Sequence, residues 1–408
     1  MKILMFGWEF PPFNNGGLGT ACYGLTKGLA NNNIDVTFVL PHMPKGAKAG
    51  FVRLISAGNA SDIKLRSVKT SLKGYITSEE YADHSNLILR RKDHRGQKDI
   101  YGKNLFAEVY RYALKAGMIA GYMDHDVIHA HDWMTYQAAI KAKQASGKPL
   151  VVHVHATEFD RTGGNGVNQV VYDLEKQGMH AADAIISVSN FTKNKIVEHY
   201  GVNADKIHVV HNAVDFTEKE PSMIPNLKAN SKVVLFLGRL TLQKGPDYFL
   251  HVAKKVLEAE PDTRFIIAGT GDMTQSIIEK SAELGIGDKV LFTGFLRGPE
   301  IDKAYRMADL YVMPSVSEPF GITPLEAMRN NTPALISKQS GVSEVIRCCL
   351  KSDFWDIDRM ANQIAGTLRY KELHEHLTEE GYSEVKKMSW DDSARKCIDV
   401  YARLGGAA

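Results

Sequence analysis

Short apolar runs recur along the chain, each closed by glycine or polar residues and followed by a stretch with helical apolar spacing. The first half carries them at Lys2 to Phe6, Ile34 to Leu40, Val127 to His131, Leu150 to His155, Ala184 to Val188 and Ile207 to Val210. The second half repeats the rhythm at Lys232 to Leu237, Arg264 to Ala268, Lys289 to Phe292, Leu310 to Met313 and Ala334 to Ile336. Runs this short and this continuously apolar predict strands buried on both faces. Between them, Thr20 to Ala30 places Leu25, Leu29 and Ala30 on one helical face, and Leu105 to Tyr122, Val170 to Ala182 and Phe191 to Tyr200 also have helical spacing. Another helix is predicted to end near Gly147, and Ile357 to Arg369, Tyr382 to Met388 and Asp391 to Tyr401 finish the chain as helices. Strand alternating with helix predicts parallel βαβ units. Residues 216 to 231 lack periodicity and predict a linker, so the expected fold is α/β with two doubly wound domains, split near residue 215 and facing a cleft.

Ligands of open parallel sheets bind beyond the carboxyl ends of the strands, and the polar loops here all fall at that edge. The loop Gly7 to Gly19 is too long for the GxGxxG fingerprint, yet its Gly16-Gly-Leu-Gly19 segment allows close approach to the backbone. After the run ending at Met313 comes Pro314-Ser-Val-Ser-Glu-Pro-Phe-Gly-Ile-Thr-Pro-Leu-Glu326. A glycine-bearing turn that opens a helix offers free N–H groups to phosphate. Glu318 and Glu326 would repel phosphate but suit hydroxyls, and the combination points to a nucleotide sugar. The same residues also fit a helix start, with Thr323 as N-cap, Pro324 first in the helix and Glu326 three residues after the cap, and both roles can coexist. Asp132 is likewise either a hydroxyl ligand or a helix N-cap, and His155 either a functional group or a satisfied core histidine. Residues 44 to 104 are irregular, and the basic run Arg90 to Lys98 is expected to be a solvated loop or hairpin, or else an acceptor surface.

Composition narrows the function classes. A net charge of +3 on 408 residues gives no case for a nucleic-acid partner. Cys22, Cys348, Cys349 and Cys397 are scattered without a CxxC pair, as expected of reduced thiols rather than a zinc site. The N-terminus lacks a signal-peptide pattern, and no apolar run approaches the ~20 residues needed to cross a bilayer. A cytoplasmic protein is expected. Asp124-His-Asp126 and Asp356-Ile-Asp358 have a DxD spacing that elsewhere binds metal, but both border element starts and are expected to be caps.

Four motifs occur in one order: Gly16-Gly-Leu-Gly19, His129-Ala-His-Asp-Trp133, Gly238-Arg-Leu-Thr-Leu-Gln-Lys244 and Glu318-Pro-Phe-Gly-Ile-Thr-Pro-Leu-Glu326. Together they resemble the retaining GT-B glycosyltransferases of family 4, in the branch near glycogen, starch and sucrose synthases, across nearly the whole chain. The resemblance implies two Rossmann-like domains, residues 1–215 on the acceptor side and 216–385 binding the donor, with a helix in 386–408 crossing back to the first. It implies that Arg239 and Lys244 hold the donor diphosphate, and that the amides of Gly321, Ile322 and Thr323 complete that seat beside Phe320. Glu326 would accept the ribose hydroxyls, Glu318 the sugar hydroxyls near the reacting carbon, and the loop at Phe295 and Leu296 would receive the base. Gly17 would approach the diphosphate and His155 the transferred hexose, while Asp132, Glu9 and Asp173 are expected on the acceptor side.

The implied reaction is front-face transfer with retention, catalysed by His155, Arg239, Lys244 and Glu318. The leaving phosphate takes the acceptor proton, and neither metal nor cofactor is required. Asn14 and Asn15 depart from the Lys-Thr of the ADP-glucose synthases, a group that also lacks the second Glu of the pair, here Glu326. Trp8 to Pro12 and His155 to Arg161 still resemble a glucan-synthase-like branch. The expected substrates are a nucleoside-diphosphate glucose, with UDP or ADP, and an α-1,4-glucan acceptor. The alternatives are transfer to a small sugar, a sugar phosphate or a lipid-linked sugar, a nucleotide-sugar epimerase, and a non-catalytic sugar-nucleotide-binding protein. Retention of Arg239, Lys244 and Glu318 argues against the last.

Overall fold

The computed structural model describes residues 1–11, 16–42, 49–59, 105–164, 166–216 and 231–405. Asn14, Asn15, the basic run at 90–98 and the linker residues 217–230 lie outside the described residues. The chain divides into two compact units, Met1–Asn212 with Trp390–Ala408, and Ala213–Ser389. No described helix is long and apolar enough to cross a membrane.

The first unit runs β1 (Lys2–Phe6), α1 (Gly17–Asn31), β2 (Asp35–Leu40), β3 (Arg53–Ser56), α2 (Leu105–Tyr122), β4 (Val127–His131), α3 (Trp133–Ser146), β5 (Leu150–Val154), α4 (Glu158–Arg161), α5 (Gln169–Ala181), β6 (Ala184–Ser187), α6 (Asn190–Tyr200) and β7 (Ile207–Val209). Its sheet has the order β3-β2-β1-β4-β5-β6-β7, with every pair parallel. Every residue of β4, β5 and β6 is buried, because helices cover both faces. The second unit runs β8 (Val233–Leu237), α7 (Pro246–Ala259), β9 (Arg264–Ala268), α8 (Thr274–Glu283), β10 (Val290–Gly294), α9 (Pro299–Met307), β11 (Leu310–Met313), α10 (Thr323–Arg329), β12 (Ala334–Ser337), β13 (Leu350–Ser352), α11 (Ile357–Arg369) and α12 (Lys371–Val385). Its order is β10-β9-β8-β11-β12-β13, again all parallel.

Strand order reverses between β1 and β4 in one sheet and between β8 and β11 in the other. At such a switch point the loops after the two central strands diverge and leave a crevice at the carboxyl edge. Three of the four motifs follow β1, β8 and β11, and the other, His129 to Trp133, closes β4.

The last helix, α13 (Trp390–Arg403), belongs to the first unit and packs on α1. Glycines make that approach possible. A Cβ on Gly28 would stand 2.4 Å from the Trp390 carbonyl oxygen, and one on Gly24 2.2 Å from the Trp390 ring. Backbone cannot rotate aside as a side chain can, so Gly28→Ala should cost about 2 kcal/mol of stability. An unchanged denaturation midpoint would contradict this packing.

Four elements differ from the sequence expectation. β3 and β13 are too short and too isolated to stand out as strands. α12 begins at Lys371 rather than Tyr382 because only Leu377, Gly381 and Val385 are buried, a stripe too thin to show helical periodicity. α1 begins at Gly17, three residues before Thr20.

Candidate functional site

At the second unit's switch point, the loop after β8 and the loop after β11 are tied together by Gln243. Its amide donates to the Ser317 carbonyl at 3.1 Å, its backbone carbonyl accepts from Val316 N–H at 2.9 Å, and its Oε1 accepts from the Arg239 guanidinium at 3.3 Å. Gln243 is 4% exposed, so these bonds lie out of water. Lys244 Nζ donates to Glu318 Oε2 at 2.5 Å, and Ser315 Oγ donates to the same oxygen at 3.1 Å. The Glu318 backbone is pinned as well: its N–H donates to the Gln339 carbonyl and its carbonyl accepts from Gly341 N–H, each at 2.9 Å. The structure thus gathers Arg239, Lys244 and Glu318 at one edge, but as a mutually bonded group, an arrangement the sequence did not show. Gln243 lies inside the third motif, and no role was expected of it.

Gly321 has φ +100, and a Cβ there would stand 3.1 Å from Glu318 Cγ and 3.2 Å from the Met313 sulfur. Backbone conformation and crowding both require glycine. The expected cap at this turn is corrected. Ile322 is the N-cap, while Thr323 is the first helical residue and its Oγ1 accepts from Tyr311 O–H at 2.8 Å. Pro324 does lie in the first turn, and Glu326 Oε2 accepts from Tyr305 O–H at 3.1 Å. α10 has only seven residues, so any pull on an anion comes from its first amides, which have no intrahelical acceptor, rather than from a long dipole. Phe320 is buried and its carbonyl accepts from Val342 N–H at 2.7 Å, so its ring serves packing. Leu296 follows β10, two strands from β8, beside Phe295, which is 44% exposed under the Arg297 guanidinium at 5.3 Å.

The three residues expected on the acceptor side all have partners within the first unit. Glu9 is buried, and its Oε1 accepts from Gly19 N–H at 3.0 Å, which places the carboxylate on an orphan amide at the start of α1. Asp132 is fully buried, and its Oδ1 accepts from the His155 and Ala156 amides at 2.7 and 3.3 Å. Its side chain does not cap α3, although it stands at the N-cap position. Its backbone lies at φ +60, ψ 168, a strained state for a non-glycine residue of the kind that collects at functional sites. Asp132 therefore holds the turn that carries His155. Asp173 is exposed on α5 and accepts from Gln169 at 2.8 Å. Among the described residues, a Cβ at Gly16 or Gly17 would meet nothing within 4 Å.

The carboxylate of α5 that does enter the interior is Glu175. Arg161 Nε binds Glu158 Oε2 at 3.0 Å, and the Glu175 carboxylate accepts from Arg161, from Tyr200 O–H and from Glu158 N–H. Burial pushes the Glu175 carboxyl up to about 7 against the pull of Arg161, helped by the Glu158 charge beside it. Thr157 and Asp160 close a capping box, and Lys195 binds Asp160 Oδ1 at 2.7 Å. The segment from His155 to Arg161 is thus held on all sides by buried charge.

Histidines dominate the strand ends. Period-two alternation puts His129 and His131 on one side of β4, and His153 and His155 share a side at and just beyond the end of β5. His131 Nδ1 and His155 Nε2 are 2.9 Å apart, His129 Nε2 and His153 Nδ1 3.3 Å, and His129 Nδ1 and Tyr401 Oη of α13 2.5 Å. Burial lowers the pKa of all four, His129 to about 3, so the imidazoles are neutral. The alternation of Val and His was the available signal, but only the sheet joins the two pairs. The DxD carboxylates have other partners: Asp124 pairs with Lys2 Nζ at 2.6 Å, Asp126 accepts from Lys2 N–H, Asp356 caps α11, and Asp358 pairs with Lys255.

Comparison with known proteins agrees with this layout. Residues 15–218 match the family described as Glycosyltransferase Family 4, and residues 218–384 the family described as Glycosyl transferases group 1. The chain is 28% identical to an uncharacterised glycosyltransferase of Methanocaldococcus jannaschii, over 98% of each chain. It is 26% identical to the glycogen synthase of Mycobacterium tuberculosis, over 85% of this chain and 80% of that one. Among solved structures, sucrose-phosphate synthase from Thermosynechococcus elongatus aligns over 100% of both chains with a TM-score of 0.78 at 18% identity, a likeness of fold. Both halves of the chain, its two switch-point sheets and its motif order place it in one family: this protein is a glycosyltransferase of the GT-B fold, belonging to glycosyltransferase family 4.

Proposed function

We propose that this protein is a cytoplasmic retaining hexosyltransferase that moves a glucosyl unit from a nucleoside-diphosphate glucose to the non-reducing end of an α-1,4-glucan. The observation that carries the donor half is the group at the second switch point, where Gln243 and Glu318 hold Arg239 and Lys244 at fixed positions. A guanidinium fork and an ammonium at one edge suit a diphosphate. The amides of Gly321, Ile322 and Thr323 take phosphate oxygens, Glu326 the ribose hydroxyls, Glu318 the hexose hydroxyls, and the loop at Phe295 and Leu296 the base. On the first unit, Gly17 leaves room for the diphosphate, and His155 addresses the hexose from a turn positioned by Asp132.

In the transfer step the bond from the anomeric carbon to the diphosphate oxygen breaks while the acceptor oxygen bonds to that carbon on the same face. The acceptor proton passes to the leaving phosphate, whose growing charge Arg239 and Lys244 stabilise. Two fixed cations do the work of a divalent ion, so chelation with EDTA should leave the rate unchanged; a loss of activity would return a metal to the mechanism. The glycogen synthase relative supports the glucan acceptor.

Purified protein should be incubated with UDP-glucose, ADP-glucose, UDP-N-acetylglucosamine or GDP-mannose, with and without glycogen or maltooligosaccharide, while nucleoside diphosphate release and product anomery are followed. The expected result is release from a glucose donor that depends on glucan and yields an α-linked product. A β-linked product would overturn retention. Release that ignores glucan but responds to a small sugar, sugar phosphate or lipid-linked sugar would replace the acceptor, and C2 or C4 inversion without transfer would make the protein an epimerase.

A further inference from the structure

We propose that Cys22 Sγ and one ring nitrogen each of His131 and His155 form a binding site for a thiophilic divalent cation of the zinc kind. Cys22 lies on α1, His131 ends β4 and His155 follows β5, so three elements converge at the first unit's switch point. The three candidate donor atoms all lie within 4.8 Å of one another. Cys22 and His131 are 0% exposed, so their donor atoms are shielded from water.

A second observation points to a ligand. Among the described residues, His131 Nε2 is buried without a hydrogen-bond partner. A buried polar nitrogen left unsatisfied costs about 1–3 kcal/mol, and a cation accepting its lone pair would remove that cost. Burial holds the Cys22 thiol well above the usual range, and the Glu9 and Asp132 carboxylates push it the same way; their negative charge favours a positive occupant. Neutral imidazoles are the form that binds metal. An overlapping triad, His129, His131 and His153, has the same spacing, but His129 already bonds Tyr401 and His153, and it lacks sulfur. Thiolate and imidazole together favour zinc-like ions over magnesium or calcium.

On binding, the Cys22 S–H bond breaks, a sulfur–metal bond forms and the proton leaves to solvent, with no change of oxidation state. Three protein ligands leave a fourth position open. Engaging His155 draws it away from His131. The cation would then inhibit transfer, a consequence that rests on the reading that His155 addresses the hexose.

The test uses Co2+ as a spectroscopic stand-in. The full chain, stripped of metal, is titrated anaerobically with Co2+ after prolonged equilibration. The expected result is one equivalent bound, with a thiolate-to-cobalt charge-transfer band and tetrahedral d–d bands, both erased by Zn2+. Cys22→Ser should lose the charge-transfer band, Cys349→Ser should keep it, and His155→Ala should weaken binding; near-ultraviolet circular dichroism checks that each variant is folded. Absence of the band at stoichiometric Co2+, or its survival in Cys22→Ser, would overturn the site. The readout is binding, so it stands apart from the assignment of His155. If the band forms in wild type while Zn2+ leaves transfer unaffected, the metal site holds and the role of His155 at the hexose falls.

Discussion

Arg239→Ala and Lys244→Ala should each lower turnover by about 10²-fold or more, because each supplies a few kcal/mol to a leaving group whose charge grows in the transition state. The two variants should differ in stability. Lys244 is the cation bonded to Glu318, which is 6% exposed; deleting it leaves a buried carboxylate with the Ser315 hydroxyl but without that charge. Lys244→Ala should therefore lower the melting temperature more than Arg239→Ala does. Arg239→Lys keeps the charge and loses the planar fork, so it should recover only part of the rate. Measuring kcat and KM beside the melting temperature separates lost chemistry from lost fold. Near-wild-type turnover in both alanine variants would remove these residues from the mechanism.

Glu175→Gln should flatten the pH dependence of stability around neutrality. One guanidinium, Arg161, faces two buried carboxylates, Glu158 and Glu175, and burial lifts Glu175 from 4.5 to about 7. A carboxyl whose folded pKa is raised binds more protons folded than unfolded between those two values. Its contribution to stability is therefore fully present below pH 4.5 and is lost as pH rises through about 7. The shift corresponds to up to about 3 kcal/mol. The glutamine amide of the variant mimics the protonated carboxyl and cannot ionise. The difference in unfolding free energy between wild type and variant, followed by urea denaturation from about pH 4 to 8, should move against wild type as pH rises. A difference that stays flat would show that Arg161 and Tyr200 keep Glu175 ionised throughout.

Sequence alone determined most strands, most helices and the family, because these follow from local periodicity and turn chemistry. Apolar runs buried on both faces mark parallel strands wherever they fall, and loops after strands carry ligands whatever the crossovers do. Glycine at 321 was legible as part of a turn offering free N–H groups, and the structure adds its backbone need, φ +100. Only the tertiary structure decided which side chains meet. The amides that Asp132 and Glu9 accept from, those of His155 and Gly19, could not be read from the chain. Glu175, two residues from the exposed Asp173, is the one facing Arg161, since a helix turns about 100° per residue and sequence alone did not tell which face lies inward. The Gln243 tie to Ser317 spans 74 positions, and the bond between His129 and Tyr401 of α13 spans 272. A parallel sheet brings distant strands side by side through crossovers, and the partners each side chain then finds are set by register and strand order, which no local pattern encodes.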